Sequence, residues 1–378
     1  MTDIVARIVE GVATLPRDEW DACAGTANPF MRWDFLTALE QSGSVGPGTG
    51  WQPLPIVIDG EDGRIAAAAA TYGKSHSQGE YVFDHGWADA WQRAGGHYYP
   101  KIQLAAPFSP VPGPRLLLRD AGQAPALIAG IQTLVERNGL SSAHATFVES
   151  GQIDQFREAG WLIREDSQFH WTNRGYRDFA DFLDELSSAR RKNIRKERER
   201  AVAGLDIVHL TGPAITEAHW DIFWHFYQDT GARKWGRPYL TRSFFSILGQ
   251  TMGDHLLLIL ALRDGRPIAG ALNLIGGEAL YGRYWGCVED VPNLHFELCY
   301  YQAIDIAIAR GIGRVEAGAQ GEHKLARGYA PEPTYSAHFI PDPGFRRAVA
   351  DFLASERTGV RRERAWLAEQ APFKKGTG

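Results

Sequence analysis

The sequence predicts an α+β chain that runs through the same kind of fold twice. Three observations carry this. A chain of 378 residues exceeds one ordinary core and suits two domains. Strand-like and helical segments alternate along its whole length. Short stretches of the first half recur in the second. The expected domains are residues 1–175 and 176–378.

In the first round, residues 55–59 and 64–72 read as strands joined by a Glu61-Asp62-Gly63 turn. Residues 124–138 have helical spacing and stop at Gly139. Residues 143–148 form a strand, 153–159 a short helix ended by Gly160, and 161–164 and 168–171 two strand pieces. In the second round, residues 179–203 read as one long basic helix with Phe179, Phe182, Leu183, Leu186 and Ile194 near one face. Helices follow at 220–230 and 243–252. Residues 256–262, the Asp264-Gly265 turn, 268–275 and 279–285 predict a strand meander. Residues 296–309 predict a helix stopped at Gly311, and 345–368 a charged amphipathic helix. The recurrence pairs Asp62-Gly-Arg with Asp264-Gly-Arg, residues 79–87 with 277–285, and His97-Tyr-Tyr99 with Cys299-Tyr-Tyr301. It is too long in period and too few in copies for a solenoid.

Composition is that of a globular protein, 44% apolar and 22% charged. A net charge of −5 excludes whole-molecule electrostatic capture of nucleic acid, so anion binding requires a local patch. Cys23, Cys287 and Cys299 follow no metal or disulfide spacing, which suits a reducing compartment. The N-terminus has no signal-peptide core, and the longest apolar run, residues 256–262, is too short to span a bilayer. A cytoplasmic location is expected, compatible with peripheral contact at a membrane surface.

The strongest chemical signal is the stretch 315–329, Val-Glu-Ala-Gly-Ala-Gln-Gly-Glu-His-Lys-Leu-Ala-Arg-Gly-Tyr. A strand-like approach opens into a glycine-spaced loop carrying Glu316, Glu322, His323, Lys324 and Arg327. Such loops at strand ends are where scaffolds present chemistry. A glycine turn followed by a charged helix start is the structural alternative. Residues 190–200 place seven basic side chains in eleven positions, with Arg191, Arg195 and Arg198 on one helical stripe. Guanidinium forks suit phosphate or carboxylate. The same run also fits a solvated surface that Glu197 and Glu199 partly neutralise. Residues 233–240 mix cations and aromatics, including Lys234 and Tyr239, either to stack on a substrate or to pack as snorkelling cations. Asp84 beside His85 could orient an imidazole for proton transfer, or form a structural hydrogen bond. His170 reads as a core histidine. Walker, dinucleotide, zincin and serine-elbow motifs are absent, which argues against those chemistries.

Taken together, Asn28-Pro-Phe30, Phe83-Asp-His85, Tyr98-Tyr-Pro-Lys101, residues 190–198, Lys234-Trp-Gly236, Tyr284-Trp-Gly286 and residues 321–328 resemble the FemAB-like group of the GNAT acyltransferase superfamily. The likeness covers almost the whole chain. It implies tandem duplicated GNAT domains, each a mixed, mainly antiparallel sheet flanked by helices. It also implies an N-acyltransferase that moves an acyl or aminoacyl group to an amine, with a cell-wall precursor as substrate and acyl-CoA or aminoacyl-tRNA as donor, without a metal. Fem transferases grip tRNA with a basic helical hairpin. Here the basic helix opens the second domain without a hairpin partner, and the usual GNAT phosphate loop is not evident, so the donor stays open. Such a transfer needs a base for the amine proton, and Glu316 or His323 is expected to take it. Lys324 and Arg327 hold anionic groups, and Arg191, Lys192 and Arg195 hold phosphate. Lys234 and Tyr239 line a cleft between the domains, and Lys101 and His85 complete the substrate-binding set. The rival expectation is a non-catalytic binder of nucleic acid, anionic lipid or cell-wall precursor working through residues 190–200.

Overall fold

The computed structural model describes residues 5–234, 238–318 and 321–374, with the side chains of 230–234 and 322 outside the description. The chain forms two compact units, one of Met1–Asp166 with Pro333–Arg362 and one of Ser167–Glu332 with Glu363–Gly378. A break after residue 175 differs from this division for residues 167–175 and 333–362. Strand Ala330–Phe339 runs antiparallel to Ala143–Val148, with His338 opposite His144. Phe345, Val349 and Leu353 of the helix Pro343–Glu369 then pack against Trp87 and Tyr98. Burying these large side chains decides the division, whatever their distance in sequence.

In the first unit, Ala6–Ile8, Ile56–Asp59, Ile65–Ala69 and Leu117–Leu118 form a four-stranded sheet. The run expected as one strand, 64–72, changes sheets at Ala70. Thr71–Lys74 pairs instead with Trp51–Pro53 and Lys101–Leu104. Lys101–Leu104 lies parallel to Ala143–Val148. The connection between these two includes helix Ala124–Arg137, whose Leu127, Ile128, Ile131 and Val135 fill the core on a 3–4 spacing.

The second unit opens with an antiparallel meander of Asp206–Leu210, Leu256–Arg263, Arg266–Ile275 and Ala279–Cys287. Asp264 and Gly265 both take positive φ, 51° and 76°, which a two-residue hairpin between twisted strands requires. A helical crossover leads to Arg314–Glu316, parallel to Ala279–Tyr281 and antiparallel to the end of Leu162–Thr172. Both units thus carry antiparallel strands followed by a helical crossover to a parallel neighbour. The Asp-Gly-Arg echoes fall in equivalent antiparallel hairpins. The other two echoes do not correspond: residues 85–87 begin a helix whereas 279–285 are strand, and His97-Tyr-Tyr99 precedes a strand whereas Cys299-Tyr-Tyr301 is helical.

Three expected elements are redrawn. The strand pieces at 161–164 and 168–171 are a single strand, Leu162–Thr172. The long helix 179–203 is two helices, Phe179–Glu185 and Ser188–Ala201. The C-terminal tail interrupts it: the Ser187 amide donates to the Pro372 carbonyl at 2.9 Å, and the Lys374 amide to the Glu185 carbonyl at 2.9 Å. The helix 296–309 contains a π-helical turn, Glu297–Tyr301, between Leu294–Phe296 and Gln302–Ala309. Such turns are rare and cluster at functional sites.

A buried polar network marks the first unit. The Lys101 ammonium is fully buried and donates to Ser77 and Glu80, each at 2.8 Å, and to Asp84. The Tyr98 hydroxyl donates to Asp84 at 2.7 Å, and the imidazoles of His144 and His338 meet Nδ1 to Nδ1 at 2.7 Å. Burial, reinforced by Lys101, pushes the His144 pKa down to about 3. A depressed folded value means stability that is present above the unfolded value of about 6.5 and lost as pH falls towards 3. Glu80, raised to about 7 by burial, acts in the opposite sense. The histidine effect is therefore read as a difference: between pH 6.5 and 5 the wild type should lose about 2 kcal/mol relative to His144→Gln, measured by urea denaturation.

Candidate functional site

The parallel pairing of Ala279–Tyr281 with Arg314–Glu316 ends at Tyr281 opposite Glu316, while the strand Ala279–Cys287 runs on. The two chains separate there. On the other side of the longer strand a register shift sets Asn273 opposite Gly282. A side chain on Gly282 would meet Asn273 Oδ1 at 3.5 Å and the Glu316 carbonyl oxygen at 3.6 Å, so these groups converge at the opening. Glu316 is buried. Its Oε1 accepts from Arg314 Nε at 2.8 Å, whereas Oε2 has no hydrogen-bond donor among the described residues and lies 3.9 Å from His170 Nε2. His170 is buried, with Gln168 Oε1 at 3.3 Å, and burial lowers its pKa.

Beyond the opening, Glu322–Arg327 forms a tight 3₁₀ turn. Gly321 enters it at φ 118°, a backbone conformation that favours glycine. Lys324 is 2% exposed, and its ammonium donates to the Gly318 carbonyl at 2.9 Å. Among the described residues no carboxylate pairs with it. Burial accordingly pushes its pKa down to about 8. His323 is exposed, with Nε2 2.9 Å from the Tyr300 hydroxyl and its ring 5.5 Å from that of Phe296.

The turn is tied to the basic helix. Arg327 donates to Glu197 at 2.9 Å and to the His323 carbonyl at 2.7 Å, and lies 3.5 Å from the Phe296 ring centre. The Tyr301 hydroxyl donates to the same Glu197 oxygen at 2.5 Å. Arg198 grips Glu297 in the π-helical turn at 2.8–3.2 Å and Asp305 at 2.7 Å. The helix Ser188–Ala201 thus turns Ile194, Glu197, Arg198 and Ala201 inward. Lys192, Arg195, Lys196 and Arg200 are exposed and have no ion-pair partner among the described residues.

These contacts sort the expected site residues. Glu316, His323 and Lys324 belong to one strand end and its loop. Arg327 was expected to hold a substrate anion, but Glu197 and a carbonyl already occupy its guanidinium, leaving it 6% exposed. Arg191 donates to the backbone and carboxylate of Asp184 at 3.3 and 3.4 Å, whereas Lys192 and Arg195 project from the helix. Lys101 lies in the buried network of the first unit, where Glu80 and Asp84 neutralise it, so it has no open face for substrate. Asp84 serves Lys101 and Tyr98, and His85 is exposed at the start of helix His85–Arg93. Tyr239 is half-buried, and the Lys234 side chain lies outside the described residues. Sequence reasoning missed Glu297, Tyr300 and Asn273. Glu297 left one trace, a carboxylate among the apolar residues of a helix, which can be buried only with a cation.

Among the described residues no group of side chains could hold a metal ion, and no helix is long and apolar enough to cross a membrane. A structure of FemX shares the fold with a TM-score of 0.53 at 11% identity, over 88% of this chain and 97% of FemX. The C-terminal domain of a putative lysylphosphatidylglycerol synthetase from Agrobacterium fabrum gives 0.54 at 10% identity, over 88% and 95%. L-PGS from Bacillus licheniformis gives 0.52 at 10% identity, over 87% and 98%. At these identities the likeness is one of fold. A search of curated proteins found no match. The sequence model of FemAB_like, described as peptidoglycan biosynthesis/recognition, matches residues 11–375, and the chain belongs to that family.

Proposed function

We propose that the chain is an N-acyltransferase that moves an acyl or aminoacyl group onto an amine of a cell-wall precursor. The observation that carries this reading is the buried Lys324 ammonium, which donates to the Gly318 carbonyl two residues beyond the strand end at Glu316 and has no carboxylate partner among the described residues. A cation held there at low solvent exposure stabilises an oxyanion far better than one in water. In the reaction the amine nitrogen attacks the acyl carbonyl and a C–N bond forms. The bond to the donor's sulfur or oxygen breaks, and that atom leaves with a proton. Lys324 and backbone N–H groups of the separated strand face the developing oxyanion. Glu316 Oε2 takes the amine proton, and its lack of a donor supports this over His323, whose Nε2 contacts Tyr300. Lys192 and Arg195 hold phosphates of the donor, as acyl-CoA and aminoacyl-tRNA both require.

Family membership supports the cell-wall acceptor. The exposed cations of the basic helix favour a second reading, a polyanion-binding protein without catalysis. That reading predicts steeply salt-dependent binding that is indifferent to Lys324.

Purified protein melted with acetyl-CoA, longer acyl-CoAs, aminoacyl-tRNA and UDP-linked muropeptide should be stabilised by one donor class, and less so in Lys192→Ala/Arg195→Ala. With that donor, Lys324→Met should lower kcat about 100-fold or more while the melting temperature holds. A Lys324 variant with undiminished turnover would remove the proposed role. Because Lys324 acts as its protonated form, activity should decline as pH rises through about 8. A rate still climbing past pH 9 would contradict this.

A further inference from the structure

A cavity of about 200 Å³ lies along residues 285–296, on the chain that leads from the long strand into the π-helical turn. The transfer chemistry assigns it no role. Its aromatic walls are Trp285, His295 and Phe296. Trp285 and His295 stand 5.2 Å apart at 76°, and His295 and Phe296 5.6 Å apart at 62°, so the rings turn a corner. Two acidic residues line the same space. Glu289 is neutralised by Arg263 at 2.8 Å. Asp290 is exposed and has no cation partner among the described residues.

Aromatic faces carry negative potential and attract cations, and an uncompensated carboxylate at the same opening adds to it. An anion is repelled by both features, and a neutral molecule gains only apolar contact with the rings. The nearby Arg327 lies 3.5 Å from the Phe296 ring centre and occupies one face of that ring. Its charge is balanced by Glu197 at 2.9 Å, and half-buried Trp285 is the other large ring of the lining. For scale, a dry cavity of about 150 Å³ accepts benzene. The occupant is therefore small, with room for an ammonium group and a short carbon frame.

We infer that this cavity binds a compact organic ammonium ion, held between Trp285 and Asp290. Resting on the transfer reading, it is the docking position of the acceptor amine before that amine loses its proton. Phe296 links the two places, because it lines the cavity and also lies against the His323 ring at 5.5 Å.

The test titrates n-butylammonium and tetramethylammonium into the full chain at low salt, with n-butanol and tert-butanol as neutral counterparts, by ligand-observed NMR and calorimetry. The ammonium ions should bind saturably and about tenfold or more tighter than the alcohols. Asp290→Asn should weaken them about fivefold or more with melting temperature unchanged, and Trp285→Leu should weaken them about fivefold or more at a temperature where the variant stays folded. Lys324→Met should leave this binding intact. Equal affinity for alcohol and ammonium, no saturable binding, or binding indifferent to both substitutions would overturn the site. Ammonium binding as expected, with no acyl product from any donor, leaves the cation site standing and removes the transfer reading, so the two fail separately.

Discussion

The Arg198–Glu297 ion pair is the interaction on which the second unit's site depends. Glu297 is fully buried in the π-helical turn, and Arg198 closes on it with Nε and Nη2 while also reaching Asp305. A buried carboxylate without its partner costs several kcal/mol, so wherever the π turn goes the basic helix must follow. One residue earlier, Glu197 holds Arg327 and Tyr301. The adjacent acid and base, Glu197 and Arg198, thus fix two elements about a hundred or more residues away in sequence, the π turn and the Lys324 turn. Breaking the regular helical ladder over Glu297–Tyr301 has a cost that this pairing offsets.

That seam explains how an amine comes to be buried with no neutralising acid among the described residues. Lys324 sits in a turn held at one end by Arg327 and entered through Gly321, and its side chain is directed back to the Gly318 carbonyl, out of water. A lysine free to move would hydrate and keep its ordinary pKa. The fold spends none of its outer basic face on this job: Lys192, Arg195, Lys196 and Arg200 stay exposed on the same helix. One short helix therefore serves two purposes, an inner side that builds the site and an outer side available to anions.

Local features were legible in the sequence and long-range ones were not. The strand Ala143–Val148, the helix Ala124–Arg137 and the Asp264-Gly265 turn follow from spacing and turn chemistry within a few residues. The loop carrying Glu316, His323 and Lys324 was equally readable, because its residue types and glycines lie together in the chain. The break at Leu186-Ser187 was not, since its cause is the tail at Pro372 to Lys374. The charges of Arg327 and Lys101 looked available because their partners, Glu197 in one case and Glu80 with Asp84 in the other, are neighbours only in space. The basic run likewise hid two faces, and only packing separates Arg198 from Arg195. Period counting cannot register a π turn, which exists here because a buried carboxylate found its arginine.

The most direct measurement is the pKa of Lys324, followed by NMR of labelled lysine. A value near 8 is what a buried and unneutralised ammonium requires. An ordinary value near 10.5 in the wild type would mean that Lys324 is hydrated or paired, and the account of the site would be wrong.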